Sequence, residues 1–357
     1  MRAVALLLLL GLLAAGCASG GDPTPAAVGP TPTRAAAELL SPTPSVQPIT
    51  FPADESPHDY ITEWWYYTGH LFTAGGERYG FEYVFFQVSF GAFPTSYAAH
   101  FAITDNPRSQ FRYAEKTGMN ASTPAEGFLL QLDDWQMRGA LGHDELSAAL
   151  DGYAIDLTLT DEKRPVLHDG DGYVEFGASG DSYYYSRTRM RVSGELVVDG
   201  TPLEVTGEAW MDHQWGNFVS VGAGWDWFAV QLDNGEELTI SLVRDTEFNV
   251  AIAYGTLVRA DGSAVNLTGD DFIVTPSGEW VSPHSGAVYP ARWNIELPRY
   301  GWNLELVPSL PDQELDTRAS TGTIYWEGEV EVSGAVEGAV VTGLGYVELT
   351  GYAERGP

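Results

Sequence analysis

The chain has one cysteine, Cys17, in 357 residues. A single thiol excludes an intrachain disulfide and a thiolate metal cluster. Basic residues are scarce as well: 18 Lys and Arg stand against 49 Asp and Glu, for a formal net charge of −31 at pH 7. A surface that acidic repels phosphate backbones and anionic head groups, which argues against nucleic acid as a partner. Long amphipathic helical patterns are missing. So are a Gly-x-Ser-x-Gly elbow, a His-Glu-x-x-His pair and a glycine-rich phosphate cradle. These absences remove the familiar hydrolase, metalloprotease and nucleotide-binding signatures, so no cofactor and no metal is implied. The acidic loop Asp169-Gly170-Asp171-Gly172, with Glu175 after it, lacks calcium-loop spacing and reads as a solvated turn.

The longest apolar run is short. It extends from Ala3 to Ala15, behind Arg2, and stops at Gly16 and Cys17. A membrane-spanning helix needs about 20 apolar residues, so residues 1–16 read as a secretory signal peptide. Leu13-Ala14-Ala15-Gly16-Cys17 resembles a bacterial lipobox, which implies that Cys17 carries lipid as the first residue of the mature protein. The expected location is extracytoplasmic, with the chain anchored to a membrane at the cell surface or in the periplasm. Seven prolines lie between Ala18 and Thr50 among Ala, Thr, Ser and Gly, with no hydrophobic periodicity. Residues 17–50 therefore read as a disordered tether.

From Phe51 onward the pattern changes to short alternating runs bounded by Gly, Asp and Asn, which predicts an all-β body. Asp199-Gly200, Asn234-Gly235 and Asp261-Gly262 separate strand-like runs and predict antiparallel hairpins with tight primed turns. An internal repeat is visible too. Trp64, Tyr66, Tyr67, His70 and Leu71 share their spacing with Trp225, Trp227, Phe228, Gln231 and Leu232. Val192-Ser193-Gly194, Val205-Thr206-Gly207 and Trp210-Met211-Asp212 correspond in order to Val332-Ser333-Gly334, Val341-Thr342-Gly343 and Tyr346-Val347-Glu348. Two halves that open and close alike predict two tandem antiparallel barrels, residues 51–218 and 219–354, each closed on itself to remove exposed edges. A barrel of about eight strands has room for side chains or one small ligand. Aromatic residues make up 12% of the chain, with 11 tryptophans, so something large and apolar is packed or enclosed.

Several motifs then become recognisable: Glu63-Trp64-Trp65-Tyr66 with Gly69-His70-Leu71, and Ala99-His100-Phe101-Ala102-Ile103-Thr104-Asp105. Further along come Tyr183-Tyr184-Tyr185-Ser186, Trp210-Met211-Asp212-His213-Gln214-Trp215-Gly216, Gly224-Trp225-Asp226-Trp227 and Gly345-Tyr346-Val347-Glu348-Leu349-Thr350-Gly351-Tyr352. Together they resemble the AttH-like family, which includes carotenoid 1,2-hydratases, over nearly all of 51–352. The resemblance implies two lipocalin-like barrels. It implies either a hydratase of isoprenoid chains or a secreted lipoprotein associated with a membrane exporter. In such hydratases an aspartic acid protonates an alkene, water captures the cation and aromatic rings steady the charge. His213 and Trp215 match their His-x-Trp, whereas their acid aligns with Ile240 and Leu242, which cannot donate a proton.

The candidate catalytic set is Asp212, His213, Trp215 and Asp226, at the junction of the two halves. Candidate ligand-binding residues are Glu63, Trp65, His70, His100, Tyr184, Trp225 and Trp227. The plainer alternative is that Asp212 and His213 bond loop backbone while the tryptophans cement the two barrels. Three functions stay open. The first is a binding protein for a hydrophobic small molecule, a lipid, isoprenoid or polyketide, with an ABC-type exporter as partner. The second is a cofactor-independent hydratase or isomerase. The third is an adaptor.

Overall fold

The computed structural model describes residues 46–90, 93–119, 121, 122, 127–218 and 224–353. Cys17, the apolar leader and most of the tether lie outside the described residues. The first sheet holds β1 (Thr62–Thr73), β2 (Arg78–Val88), β3 (Ser96–Asp105), β4 (Gln110–Gly118), β5 (Ala121–Ser122), β6 (Phe128–Leu132) and β7 (Trp135–Ala140). It continues through β8 (His143–Leu150), β9 (Tyr153–Asp161), β10 (Val166–Leu167), β11 (Tyr173–Glu175), β12 (Asp181–Val198) and β13 (Thr201–Gly216). The second sheet holds β14 (Gly224–Leu232), β15 (Glu237–Arg244), β16 (Val250–Val258), β17 (Ala264–Thr268) and β18 (Ile273–Val281). It ends with β19 (Val288–Leu297), β20 (Trp302–Pro308), β21 (Glu314–Thr317), β22 (Thr323–Val336) and β23 (Ala339–Thr350).

The two sheets follow one plan. The first runs β4-β3-β2-β1-β13-β12-β9-β8-β7-β6-β5 and the second β17-β16-β15-β14-β23-β22-β20-β19-β18. In each, a four-strand meander starts from the first strand, and the last strand of the half returns to pair with that first strand. This shared order places the repeated aromatic motifs at equivalent strands, β1 and β14. Among the described residues neither hydrogen-bonded path joins its own ends, which lie at β4 and β5 in the first sheet and at β17 and β18 in the second. The expected complete closure is corrected to that extent.

Turn chemistry sets the hairpins. Asp199 (φ 49°) and Gly200 (φ 79°) both take positive φ, as a tight primed turn requires. At Asn234-Gly235 and Asp261-Gly262 only the glycines do, with φ 81° at each. The strand ends there lie further apart, so one left-handed glycine closes a longer loop, and the expected primed geometry does not form. The tether also ends earlier than its composition predicts: Gln47 donates its backbone N–H to the Tyr183 hydroxyl at 3.1 Å, and Ile49 packs on the first core.

Period-two alternation gives each strand two faces. On β1, Trp65, Tyr67 and Leu71 point into the first barrel, where Phe85, Trp135 and Tyr185 join them. On β14, Phe228, Val230 and Leu232 point into the second barrel with Trp293 and Val347. The opposite faces of these strands meet between the barrels. Tyr66, Val84, Trp210, Trp227, Ala229 and Tyr346 form that apolar seam, with the Tyr66 and Trp227 rings 5.3 Å apart, edge to face. Strands at the seam are therefore buried on both sides.

Candidate functional site

The first turn-and-coil segment, residues 46–61, lies across one end of the first barrel. Phe51 packs edge-on against Tyr185 at 4.9 Å. Glu55, 1% exposed, pairs with the buried Arg187 and accepts the Leu141 backbone N–H at 2.8 Å. This strap carries His58 onto the barrel mouth, where its ring stacks on Trp215 with centroids 4.1 Å apart and planes 4° from parallel.

Beneath His58 sits Glu63, at the start of β1 and fully buried. One oxygen, Oε1, lies 2.7 Å from His58 Nδ1 and 2.8 Å from His213 Nε2. The other, Oε2, accepts the His58 backbone N–H at 2.8 Å and the Gln87 amide at 3.0 Å. Gln87 is itself held by the Tyr97 hydroxyl at 2.7 Å. His213 comes from β13, directly opposite Trp65 on β1. Its ring stacks against Trp65 at 4.6 Å, and its Nδ1 faces the Tyr185 hydroxyl at 3.2 Å.

Electrostatics fixes the proton positions. Burial pushes the His213 imidazole down to about 4, against the opposing pull of Glu63, so the ring is neutral at pH 7. Burial also raises Tyr185, which keeps its hydroxyl proton. A neutral His213 then donates from Nε2 to Glu63 and accepts from Tyr185 at Nδ1. His58 differs, because its Nε2 faces Asp54 Oδ1 at 3.3 Å while Nδ1 faces Glu63. The site thus sets two imidazoles on one carboxylate oxygen, between the faces of Trp65 and Trp215. The same three donors could also hold a metal ion, since they lie within 4.8 Å of one another.

The rim of this end is apolar. Every exposed Phe, Met and Leu among the described residues belongs to it: Phe51, Phe90, Phe93, Met119 and Leu141. Phe90 and Phe93 follow the end of β2, Met119 follows β4, and Leu141 turns between β7 and β8. Two surface depressions, of about 320 and 460 Å³, lie elsewhere. One is on the outside of the second barrel around Asn294 and Ser333, and the other is lined by Lys163, Arg189 and Glu208; neither adjoins His213.

The residues expected to form one cluster do not. Asp212 and His213 are neighbours on β13 and so face opposite ways. His213 and Trp215 point into the barrel mouth, whereas Asp212 points into the seam. There it accepts hydrogen bonds from the Tyr184 hydroxyl at 2.6 Å, from Trp210 Nε1 at 2.7 Å and from Ser186. Burial raises its carboxyl to about 6. Trp227 donates to the Tyr184 hydroxyl at 3.2 Å, so Tyr184 and Trp227 also serve the seam. Asp226 enters the second barrel, paired with Arg244 and bonded by the Tyr352 hydroxyl at 3.0 Å.

The remaining candidates scatter along the seam. His70 Nδ1 meets Glu329 at 2.8 Å, His100 lies between Tyr325 and Ser320 at 2.8 and 3.0 Å, and Trp225 donates to Glu348 at 2.7 Å. Glu63 and Trp65 do adjoin His213. Ile240 and Leu242, where the alignment puts the missing acid, lie on β15 in the second core, and Glu63 is the carboxylate beside His213. His58, Asp54, Gln87, Tyr97 and Tyr185 went unnamed as candidates. Only Tyr185 carried a signal, inside the Tyr183-to-Ser186 motif. Also unnamed were the seam acids Glu82 and Glu327, each buried with one oxygen lacking a partner.

Comparison with known proteins agrees with this architecture. A family model described as AttH-like matches residues 42–352. The crystal structure of an AttH protein from Nitrosomonas europaea is 31% identical, with a TM-score of 0.79, covering 88% of this chain and 99% of that one. Kievitone hydratase from Nectria haematococca is 19% identical with a TM-score of 0.71, covering 85% and 93%. CghA in complex with Sch210972 is 14% identical with a TM-score of 0.56, covering 81% and 88%. The last two likenesses concern the fold. No functionally curated protein matches in sequence. The chain belongs to the AttH-like family.

Proposed function

We propose that the mouth of the first barrel binds an apolar, unsaturated small molecule and moves protons on it, as a hydratase or double-bond isomerase does. The observation that carries this reading is the coincidence, at one end of one barrel, of an apolar rim and the His58–Glu63–His213 set. Hydration needs a proton donor, a proton acceptor and a wall that tolerates positive charge. His58 supplies the proton to one alkene carbon. Water bonds the cation left on the other carbon, and the proton it sheds returns through Glu63 to His58. The ring faces of Trp65 and Trp215 attract the cation between those steps. A hydratase among the similar folds points the same way.

A second reading, binding without turnover, is favoured by the packing: Trp65, Tyr67, Phe85 and Trp135 fill the barrel interior, leaving the mouth rather than the lumen to the ligand. Anchorage through Cys17 and an exporter partner belong to the same proposal, since a tether would hold the apolar rim near the membrane from which such molecules come.

The test is a product assay with purified mature protein and a panel of linear isoprenoids such as lycopene and neurosporene. Hydrated or isomerised product is expected from the native protein and from Asp226→Asn, and is lost in Glu63→Gln. Substrate retained but unchanged by the native protein selects the binding reading. No product together with no retention of any apolar probe refutes both.

A further inference from the structure

We infer that His58, Glu63 and His213 form a binding site for one divalent transition-metal ion of the zinc type. The inference concerns the same three side chains as the reading above but stands on the donor geometry alone, since an ion bound there would occupy the atoms of the proton relay. Two imidazole nitrogens, His58 Nδ1 and His213 Nε2, aim at a common point, now held by Glu63 Oε1 at 2.7 and 2.8 Å. The two rings lie 5.7 Å apart by centroid, tilted 36° to one another. Two histidines and one carboxylate are a donor set that zinc takes in catalytic sites, with the fourth position left to water or substrate.

What sets this cluster apart is that every donor is oriented from behind. His58 turns its other nitrogen to Asp54 at 3.3 Å, and His213 turns its own to the Tyr185 hydroxyl at 3.2 Å. Glu63 has its far oxygen fixed by Gln87 at 3.0 Å and by the His58 backbone at 2.8 Å. Such outer partners fix ring orientation and tautomer in metal centres.

The fit requires a small adjustment. Zinc at about 2.0–2.1 Å from each ligand puts neighbouring donors about 3.3 Å apart, so each contact to Glu63 opens by about 0.5 Å. His58 can open its own contact, because it sits on the strap and its side chain is 16% exposed, whereas the contact between the fully buried Glu63 and His213 opens only by a shift of one of those two side chains. The same exposure supplies an entry path. A chain of net charge −31 draws cations to its surface.

The test uses the full mature chain made without a histidine tag, stripped by chelator and dialysed. Titration with Co2+ is read by its visible bands, and titration with Zn2+ by calorimetry. One ion per chain is expected, with the strong bands of four-coordinate cobalt. Asp54→Asn, which changes the support behind His58 and also an acceptor of the Thr50 hydroxyl, weakens binding about 10–100-fold. His58→Ala abolishes the cobalt bands, and the exposed control His284→Ala leaves them unchanged. A folded native protein that takes up no stoichiometric ion, or a His58→Ala variant that binds as the native chain does, overturns the inference. Metal uptake without turnover upholds the site and counts against the acid–base reading, and turnover by metal-free protein without stoichiometric uptake upholds the acid–base reading and overturns the site.

Discussion

Between pH 6.5 and 8 this protein should lose stability, where most proteins change little, and the cause lies in the seam. Glu82 and Glu327 are buried between the barrels, with the half-buried Glu348 beside them. Burial, with repulsion from Glu348, raises Glu82 from an ordinary 4.5 to about 8. Burial raises Glu348 from 4.5 to about 7, and burial with both neighbours raises Glu327 well above its usual range. Each acid binds its proton more tightly folded than unfolded, so stability falls as pH rises between the unfolded and folded values. From pH 6.5 to 8 Glu82 titrates over about 1.5 units and Glu348 over about 0.5, which at 1.36 kcal/mol per unit sums to about 3 kcal/mol.

Asp144, raised by burial to about 7, acts in the same direction over the first half unit of that window. His100 and His168, both lowered to about 3 by burial, destabilise only below pH 6.5, where the unfolded histidines gain protons. Carboxylates lowered by surface partners, such as Asp271 and Asp316, act only at more acid pH. The assay is thermal unfolding of the native protein and Glu82→Gln across pH 6 to 8.5. A fall of roughly 6 °C is expected for the native chain, taking about 2 °C per kcal/mol for a protein of this size. Glu82→Gln, which keeps the shape and an acceptor for the Tyr325 hydroxyl, should show a shallower fall and exceed the native protein at pH 8. A flat or rising native curve, or identical slopes for the two proteins, would refute the reasoning.

Three further outcomes follow from packing and pairing. Arg187→Met leaves the buried Glu55 carboxylate without its cation and should cost about 3–5 kcal/mol in urea unfolding. Gly69→Ala, whose added Cβ would stand 2.5 Å from the Phe81 ring and 2.8 Å from the Glu208 carbonyl oxygen, should cost about 1–3 kcal/mol in the same assay. Phe90→Ser with Phe93→Ser removes two rings from the apolar rim, 52% and 75% exposed. This pair should weaken uptake of a fluorescent apolar probe about tenfold, a loss of about 1.4 kcal/mol, with unchanged thermal stability.

The strands and their pairing were largely legible. The run from Trp64 to Leu71 and its counterpart from Trp225 to Leu232 are strands at equivalent places in two sheets of the same order. Asp199-Gly200 marked a hairpin because a tight primed turn needs two positive φ values. The site was legible only in part. His213 and Trp215 stand at the mouth, yet Asp212 had to face away from them, as the period of two already requires. Nothing marks Glu82 as buried, because Phe81-Glu82-Tyr83 reads as ordinary in-and-out alternation. Only the back-to-back packing of two barrels, which is not written in any one strand, gives β2 and β22 a second buried face. His58 escaped because residues 46–61 carry no periodicity. Their place is set by Glu55 reaching Arg187, a contact spanning 132 residues.

The most direct test of the central claim asks whether protons reach the substrate from the barrel mouth or from the seam. Run in D2O with a converted alkene, the native protein should place one deuterium on carbon in the product. Glu63→Gln should abolish that incorporation, while Asp212→Asn and Glu82→Gln leave it intact. Incorporation that survives Glu63→Gln and vanishes with Asp212→Asn would contradict the account and move the chemistry to the seam.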